Sequence, residues 1–168
     1  VVRQGSCCTA PTITITPTTQ TVCAGATTTI GISSSAASPN YTWQASANGS
    51  TGWTAVTSNT PVGASYSGQG TATLNITAGA TYYYQCLVTD GASTCVATPS
   101  TSILVVNTVP SITTPTVSNA TSCEGSTNVT VKINASGSSS LNYQWQVSTG
   151  SGYSNVSGGA YSGGTTNT

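Results

Sequence analysis

The chain has no histidine, no methionine and no phenylalanine, and only four charged side chains in 168 residues: Arg3, Lys132, Asp90 and Glu124. Each absence excludes a class of function. Two basic residues cannot form the patch that a phosphate backbone requires, and two carboxylates are too few to cage calcium. With no imidazole, and with Asp90 and Glu124 far apart in the chain, the usual general acids, bases and metal ligands are nearly missing. The hydroxyls and thiols that remain have nothing to activate them. The expectation is a protein that is not an enzyme, with no catalytic residue, no metal, no cofactor and no nucleic-acid partner. Long apolar runs are missing too: the longest, Ile103 to Val106, falls far short of the roughly 18 residues of a membrane span. The opening "VVRQGSCC" lacks the basic start, apolar middle and small-residue cleavage site of a signal peptide, so the chain reads as a mature product or a fragment.

What is present is enough for a core. Hydrophobic residues make up 36% of the chain and recur at short intervals, which argues against disorder. Serine and threonine dominate the rest. Uncharged segments so rich in hydroxyls suit a surface that is exposed, glycosylated or packed against copies of itself. Six cysteines, without a CxxC pair and set among Gly/Ser/Thr turns, read as disulfide staples and not as zinc or redox ligands. They point to an oxidising, extracellular location at the cell surface.

The chain repeats itself. "PTIT" at Pro11 matches "PSIT" at Pro110, "CAG" at Cys23 matches "CEG" at Cys123, "YTWQ" at Tyr41 matches "YQWQ" at Tyr143, and "YSGQGTAT" at Tyr66 matches "YSGGTTNT" at Tyr161. The order is conserved between the two halves, and fixed-period self-similarity is the mark of a repeat architecture. Val1 and Val2 resemble Val105 and Val106, so residues 1–10 read as the end of a preceding repeat with its linker. Residues 11–107 read as one complete domain and 108–168 as the first half of another, strands A to D. The expectation is a window on a longer array.

Within a repeat the period is two. Thr28, Ile30 and Ile32 fall on one side of their run, as do Val129, Val131 and Ile133, Ala72, Leu74 and Ile76, and Tyr82, Tyr84, Cys86 and Val88. Such alternation predicts half-buried antiparallel strands. Turn clusters such as "SANGSTG" and "TDGAST" separate the runs, so the expected fold class is all-β, a sandwich with about seven strands per repeat.

A Trp on the third strand ("YTWQ"), Tyr84-Gln85-Cys86 on the sixth and the repeat length resemble an immunoglobulin-like domain. More closely, "CAG...YTWQ...GW...YSG...TLNIT...YYYQCLV" resembles the Ig-like repeats of large secreted surface adhesins and extracellular filaments of bacteria. The resemblance covers 11–107 and the first half of the second repeat. It implies tandem Ig-like sandwiches, the second incomplete, with Trp43 and Trp145 as core pins. It also implies a disulfide between Cys23 and Cys95, worth about 3–4 kcal/mol in the chain-entropy model, with Cys23 to Cys86 as the rival pairing. Cys123 would find its equivalent partner beyond Thr168, and Cys86 is expected as a buried free thiol. Cys7 and Cys8 are adjacent and cannot comfortably bridge each other, so they need partners in a preceding repeat, in Cys86 or in a neighbouring subunit.

Seven Asn-x-Ser/Thr sequons occur, at Asn40, Asn48, Asn75, Asn119, Asn128, Asn134 and Asn155. Asn75 stands out because the alternation that buries Leu74 and Ile76 turns it outward. Trp53 and Tyr153, in the hairpin after the third strand of each repeat, are the candidates for exposed aromatic contacts. The leading expectation is a structural repeat unit of a glycosylated bacterial filament or stalk, whose partners are copies of itself, adjacent repeats and covalent glycans. The alternative is an adhesive or carbohydrate-binding module of a secreted adhesin, with surface carbohydrate as its partner.

Overall fold

The computed structural model describes residues 9–91, 95–97, 99–115, 123, 130–138, 140–158 and 164–165. The chain divides into two compact units, Val1–Asn107 and Thr108–Thr168. Among the described residues the secondary structure is all strand and turn, without helix.

The first unit carries β1 (Ile13–Thr16), β2 (Thr19–Cys23), β3 (Thr27–Ser34), β4 (Pro39–Ser46), β5 (Thr54–Ala55), β6 (Ser65–Ser67), β7 (Thr73–Thr77), β8 (Tyr82–Asp90) and β9 (Thr101–Asn107). They form a four-stranded sheet in the order β1-β3-β7-β6 and a five-stranded sheet in the order β2-β9-β8-β4-β5. Alternation decides which face of each strand is buried. Ile15, Ile30, Ile32, Leu74 and Ile76 point inward from the first sheet, and Trp43, Ala45, Tyr84, Cys86, Val88, Leu104 and Val106 from the second. Both sets belong to one hydrophobic cluster, so the two sheets pack as the layers of a β-sandwich. Each large aliphatic side chain buried there contributes about 1.5–3 kcal/mol. Trp43 is 1% exposed, and its indole N–H donates to the Thr71 carbonyl at 2.9 Å, so the ring is buried without stranding its one polar atom.

One pairing departs from the antiparallel expectation. β1 runs antiparallel to β3, whereas β2 runs parallel to β9, Thr19 beside Ile103 and Cys23 beside Asn107. Pro17 separates the two strands. Having no N–H, it cannot extend the β1 ladder, and the chain crosses there to the other sheet. Ser102 Oγ donates to the Pro17 carbonyl at 2.6 Å and the Ile103 amide to the Thr18 carbonyl at 3.0 Å, which fixes the crossing.

The second unit repeats part of this pattern. β10 (Ser111–Pro115) pairs with β11 (Ile133–Ser136), as β1 does with β3, and β12 (Gln146–Ser148) pairs with β13 (Tyr153–Asn155), as β4 does with β5. The correspondence extends to single hydrogen bonds. Val56 N–H donates to the Trp43 carbonyl at 3.1 Å, and Val156 N–H to the Trp145 carbonyl at 2.9 Å.

Replacing Trp43 by alanine removes the largest core side chain and leaves a cavity between the sheets. We expect Trp43→Ala to cost about 3–5 kcal/mol, read as a lowered midpoint in guanidinium unfolding followed by circular dichroism.

Candidate functional site

The turn that leads to Trp53 is built on Ser46, a buried polar residue 1% exposed. Its hydroxyl donates to the Thr51 carbonyl at 2.6 Å and accepts from the Gly49 amide at 3.1 Å. Asn48 Oδ1 accepts from the amides of Ser50 and Thr51, both at 2.9 Å. Such side-chain bonds replace a backbone turn. Gly49 is required twice over: its φ is +73°, and a Cβ there would lie 2.6 Å from the Tyr83 ring. The turn therefore packs on Tyr83, and Trp53 beyond it is half-buried. Tyr153, its counterpart in the second unit, is 77% exposed. The two aromatic positions that the sequence treats alike thus differ in accessibility.

Tyr153 does not stand alone. With Ile112, Ile133, Tyr143, Gln144, Trp145 and Gln146 it lines an aromatic groove of about 290 Å3 in the second unit, near the lower limit for a small-molecule pocket. Every lining residue is uncharged. The sequence marked Tyr153 as an exposed contact but assigned Trp145 to the core, whereas Trp145 is half-buried at this groove; Ile112 and the glutamines were visible only as parts of repeated phrases. The only available signal was that Ile112 and Ile133 lie on the inward phase of the alternation in runs matching β1 and β3. A second groove, of about 250 Å3 in the first unit, is lined by Thr27, Ser65, Tyr66, Ser67, Asn75, Ile76 and Thr77. Asn75 lies exposed there, its Nδ2 donating to Ser67 Oγ at 3.3 Å.

Among the other sequons, Asn40, Asn48, Asn134 and Asn155 are exposed. The Asn48 amide is engaged in its own turn, Nδ2 donating to Thr51 Oγ1 at 2.9 Å. Asn119 and Asn128 lie outside the described residues, as do Cys7 and Cys8. Among the described residues no cluster of side chains could hold a metal ion, and no helix is long and apolar enough to cross a membrane.

The expected Cys23 to Cys95 disulfide is not formed, and neither is its rival with Cys86: Cys23 is an exposed free thiol and Cys86 a buried one. Cys95 is disulfide-bonded, and its partner is not among the described residues. The reason is the register of the five-stranded sheet. Cys23 pairs with Asn107, beyond the level of Tyr82, where β8 begins, because Tyr82 is opposite Leu104. Cys95 adjoins the Val96 to Thr89 bridge at the other end of β8. Even Tyr82 to Val88 spans roughly 20 Å of strand, at about 3.3 Å per residue. A disulfide needs Cα atoms about 4.4–6.8 Å apart. Cys123 carries an exposed thiol that is not in a disulfide.

Burial governs the titratable groups of the core. Tyr66 and Tyr84 meet edge to face, ring centroids 6.1 Å apart, with hydroxyls 3.1 Å from each other and Tyr66 Oη donating to the Thr60 carbonyl at 2.8 Å. Desolvation raises the proton affinity of both phenols above the ordinary value, and for Tyr84 the bond to Tyr66 adds to the rise. Burial likewise pushes the Cys86 thiol up to about 11. No protein-family model and no curated protein matches the chain.

Two measurements follow from this geometry. A thiol reagent at pH 8 should modify Cys23 in the folded protein but reach Cys86 only after unfolding, as peptide mass mapping would show. In addition, Tyr66, Tyr84 and Cys86 hold their protons more tightly folded than unfolded. The resulting stabilisation is complete below the ordinary thiol value of 9.0 and is lost as pH rises above it, first through the thiol and then through the phenols. The denaturation midpoint should therefore fall on alkaline titration above pH 9, and Tyr84→Phe should reduce the portion of that fall due to the phenols.

Proposed function

We propose that the chain is a structural repeat unit of an extracellular, glycosylated bacterial surface filament or stalk, and that both units are Ig-like domains in tandem. The observation that carries this reading is the internal repetition. Two units pair their strands in the same order, and equivalent carbonyls, Trp43 and Trp145, accept from equivalent amides, Val56 and Val156. Repetition without catalytic groups suits a protein whose task is to extend and to pack. The near absence of charge supports the same reading, because uncharged Thr/Ser faces pack side by side without repulsion or the cost of desolvating ions. The exposed Asn40, Asn75, Asn134 and Asn155, together with the hydroxyl-rich strands, offer sites for covalent sugar. Exposed Cys23 fits an oxidising exterior as a site of linkage between neighbours.

The exposed Tyr153 beside the aromatic groove favours one other reading, an adhesive module that stacks its aromatic rings on surface carbohydrate. Electron microscopy of the native, undissociated material separates the two. Sandwich-sized beads running continuously along a fibre, with density protruding from Ser, Thr or Asn, are expected of the structural filament. Separate particles would reject it and put the adhesive module first, to be tested by the loss of glycan-array binding in Tyr153→Ala.

A further inference from the structure

The sequon Asn75-Ile76-Thr77 lies within β7, and the strand decides where its two polar groups go. Asn75 and Thr77 are two residues apart, so both lie on the face opposite Leu74 and Ile76, which are 0% and 1% exposed. The amide and the hydroxyl of the sequon therefore sit on the outer face of the four-stranded sheet, Asn75 exposed and Thr77 half-buried. Register supplies their neighbours. Thr77 stands between Thr27 and Ser65, and Asn75 between Thr29 and Ser67, at the roughly 5 Å spacing of cross-strand partners. Thr27, Ser65, Ser67, Asn75 and Thr77 line the groove of about 250 Å3, so the amide opens onto neutral hydroxyls that can both donate and accept.

The state of the amide matters as much as its exposure. Asn75 Nδ2 carries two hydrogens, and the bond to Ser67 Oγ at 3.3 Å uses one of them. Replacing the other by a sugar leaves that bond in place, and with it the orientation of the amide. Asn48 is held differently: its Oδ1 accepts from the Ser50 and Thr51 amides, its Nδ2 donates to Thr51 Oγ1, and the hydroxyl of its own sequon, Ser50 Oγ, donates to Oδ1. Asn155 Oδ1 accepts from Gln146 Nε2 at 3.1 Å, and at Asn40 the backbone of Gly91 is so close that a Cβ there would lie 3.4 Å from Nδ2.

We propose that Asn75 is an acceptor of an N-linked glycan, with Thr77 as the hydroxyl that completes its sequon and the first sugar bordering the groove between β6 and β7. The inference rests on the reading of the chain as a glycosylated surface protein and names a site of attachment within it. In the transfer a bond forms between Asn75 Nδ2 and the anomeric carbon of a sugar carried on a phosphate or diphosphate. The bond from that carbon to the phosphate oxygen breaks, the phosphate leaves with the electron pair, and Nδ2 gives up one proton to the transferase. The groove suits a neutral first sugar, since its lining offers hydroxyls and no cation.

The test begins with the native protein. Glycopeptides that contain Leu74 to Thr77 are sequenced by electron-transfer fragmentation, which leaves each sugar on its residue, and a sugar mass is expected on Asn75. Thr77→Ala and Thr77→Ser are then produced in the same source organism. The alanine variant should carry a bare Asn75 and the serine variant a modified one, with Cys86 protected from thiol reagent in both as evidence that the first unit is folded. A bare Asn75 in native protein that bears sugar at other residues, Ser67 and Thr77 included, would overturn the site and leave the glycosylated reading standing. Native protein without sugar anywhere would overturn both. Sugar retained on Asn75 in Thr77→Ala would overturn the part assigned to Thr77.

Discussion

Burial of Trp43 is the interaction on which the first unit depends. The ring lies where the two sheets meet, on a strand paired on both edges, and it is 1% exposed with its one polar atom bonded to Thr71. Around it Leu74, Ile76, Tyr84, Cys86 and Leu104 are all at or below 1% exposure. None of these contacts is local. They join strands far apart in sequence, so each gains its stability only when loop closure has brought the others into place. Removing one contributor weakens the rest, which is why the core behaves as a unit and not as a sum of pairs.

A chain with so few charges must satisfy most of its buried polar groups with neutral partners, and the hydroxyls do much of this. Ser46 supports a whole turn, Ser102 fixes the crossing at Pro17, Thr81 Oγ1 accepts the Val106 amide, and the two tyrosine hydroxyls meet each other. Neutral bonds of this kind contribute about 0.5–1.5 kcal/mol each, but the cost of leaving one unmade in the interior is larger. Serine and threonine are therefore more than surface filling: a subset of them lets an ion-poor protein close its turns and its sheet ends. With only four charged side chains, few of its interactions are of the kind that salt screens.

Much of the first unit was legible from period-two alternation. Ile30, Ile32, Leu74, Ile76, Tyr84, Cys86 and Val88 are buried as their phase implies, and Asn75 is turned outward. The phase of a strand gives its faces but neither its neighbour nor its level along the sheet. For that reason the parallel pairing of β2 was missed, although Pro17 was visible. The cysteine pairing failed for the same reason: Cys23 and Cys95 look equally terminal in sequence, and only the register places them at opposite ends of β8. The site in the second unit was half legible. Its aromatics were marked by the repeat, but the groove needs Ile112 and Ile133 from another pair of strands, and their exposure reflects which strands cover them.

The two copies of one phrase make that dependence concrete. Tyr-x-Trp-Gln begins the same local structure in each unit, down to the bond between the Trp carbonyl and the Val amide two residues after the short strand begins in the first unit and three in the second. Yet Ala45, paired with Tyr84, is 2% exposed, whereas Val147, its counterpart in the other strand, is half-buried. Local sequence fixes the hairpin, since hydrogen bonds between near neighbours cost little closure entropy. Burial is fixed elsewhere, by strands whose side chains complete the opposite layer.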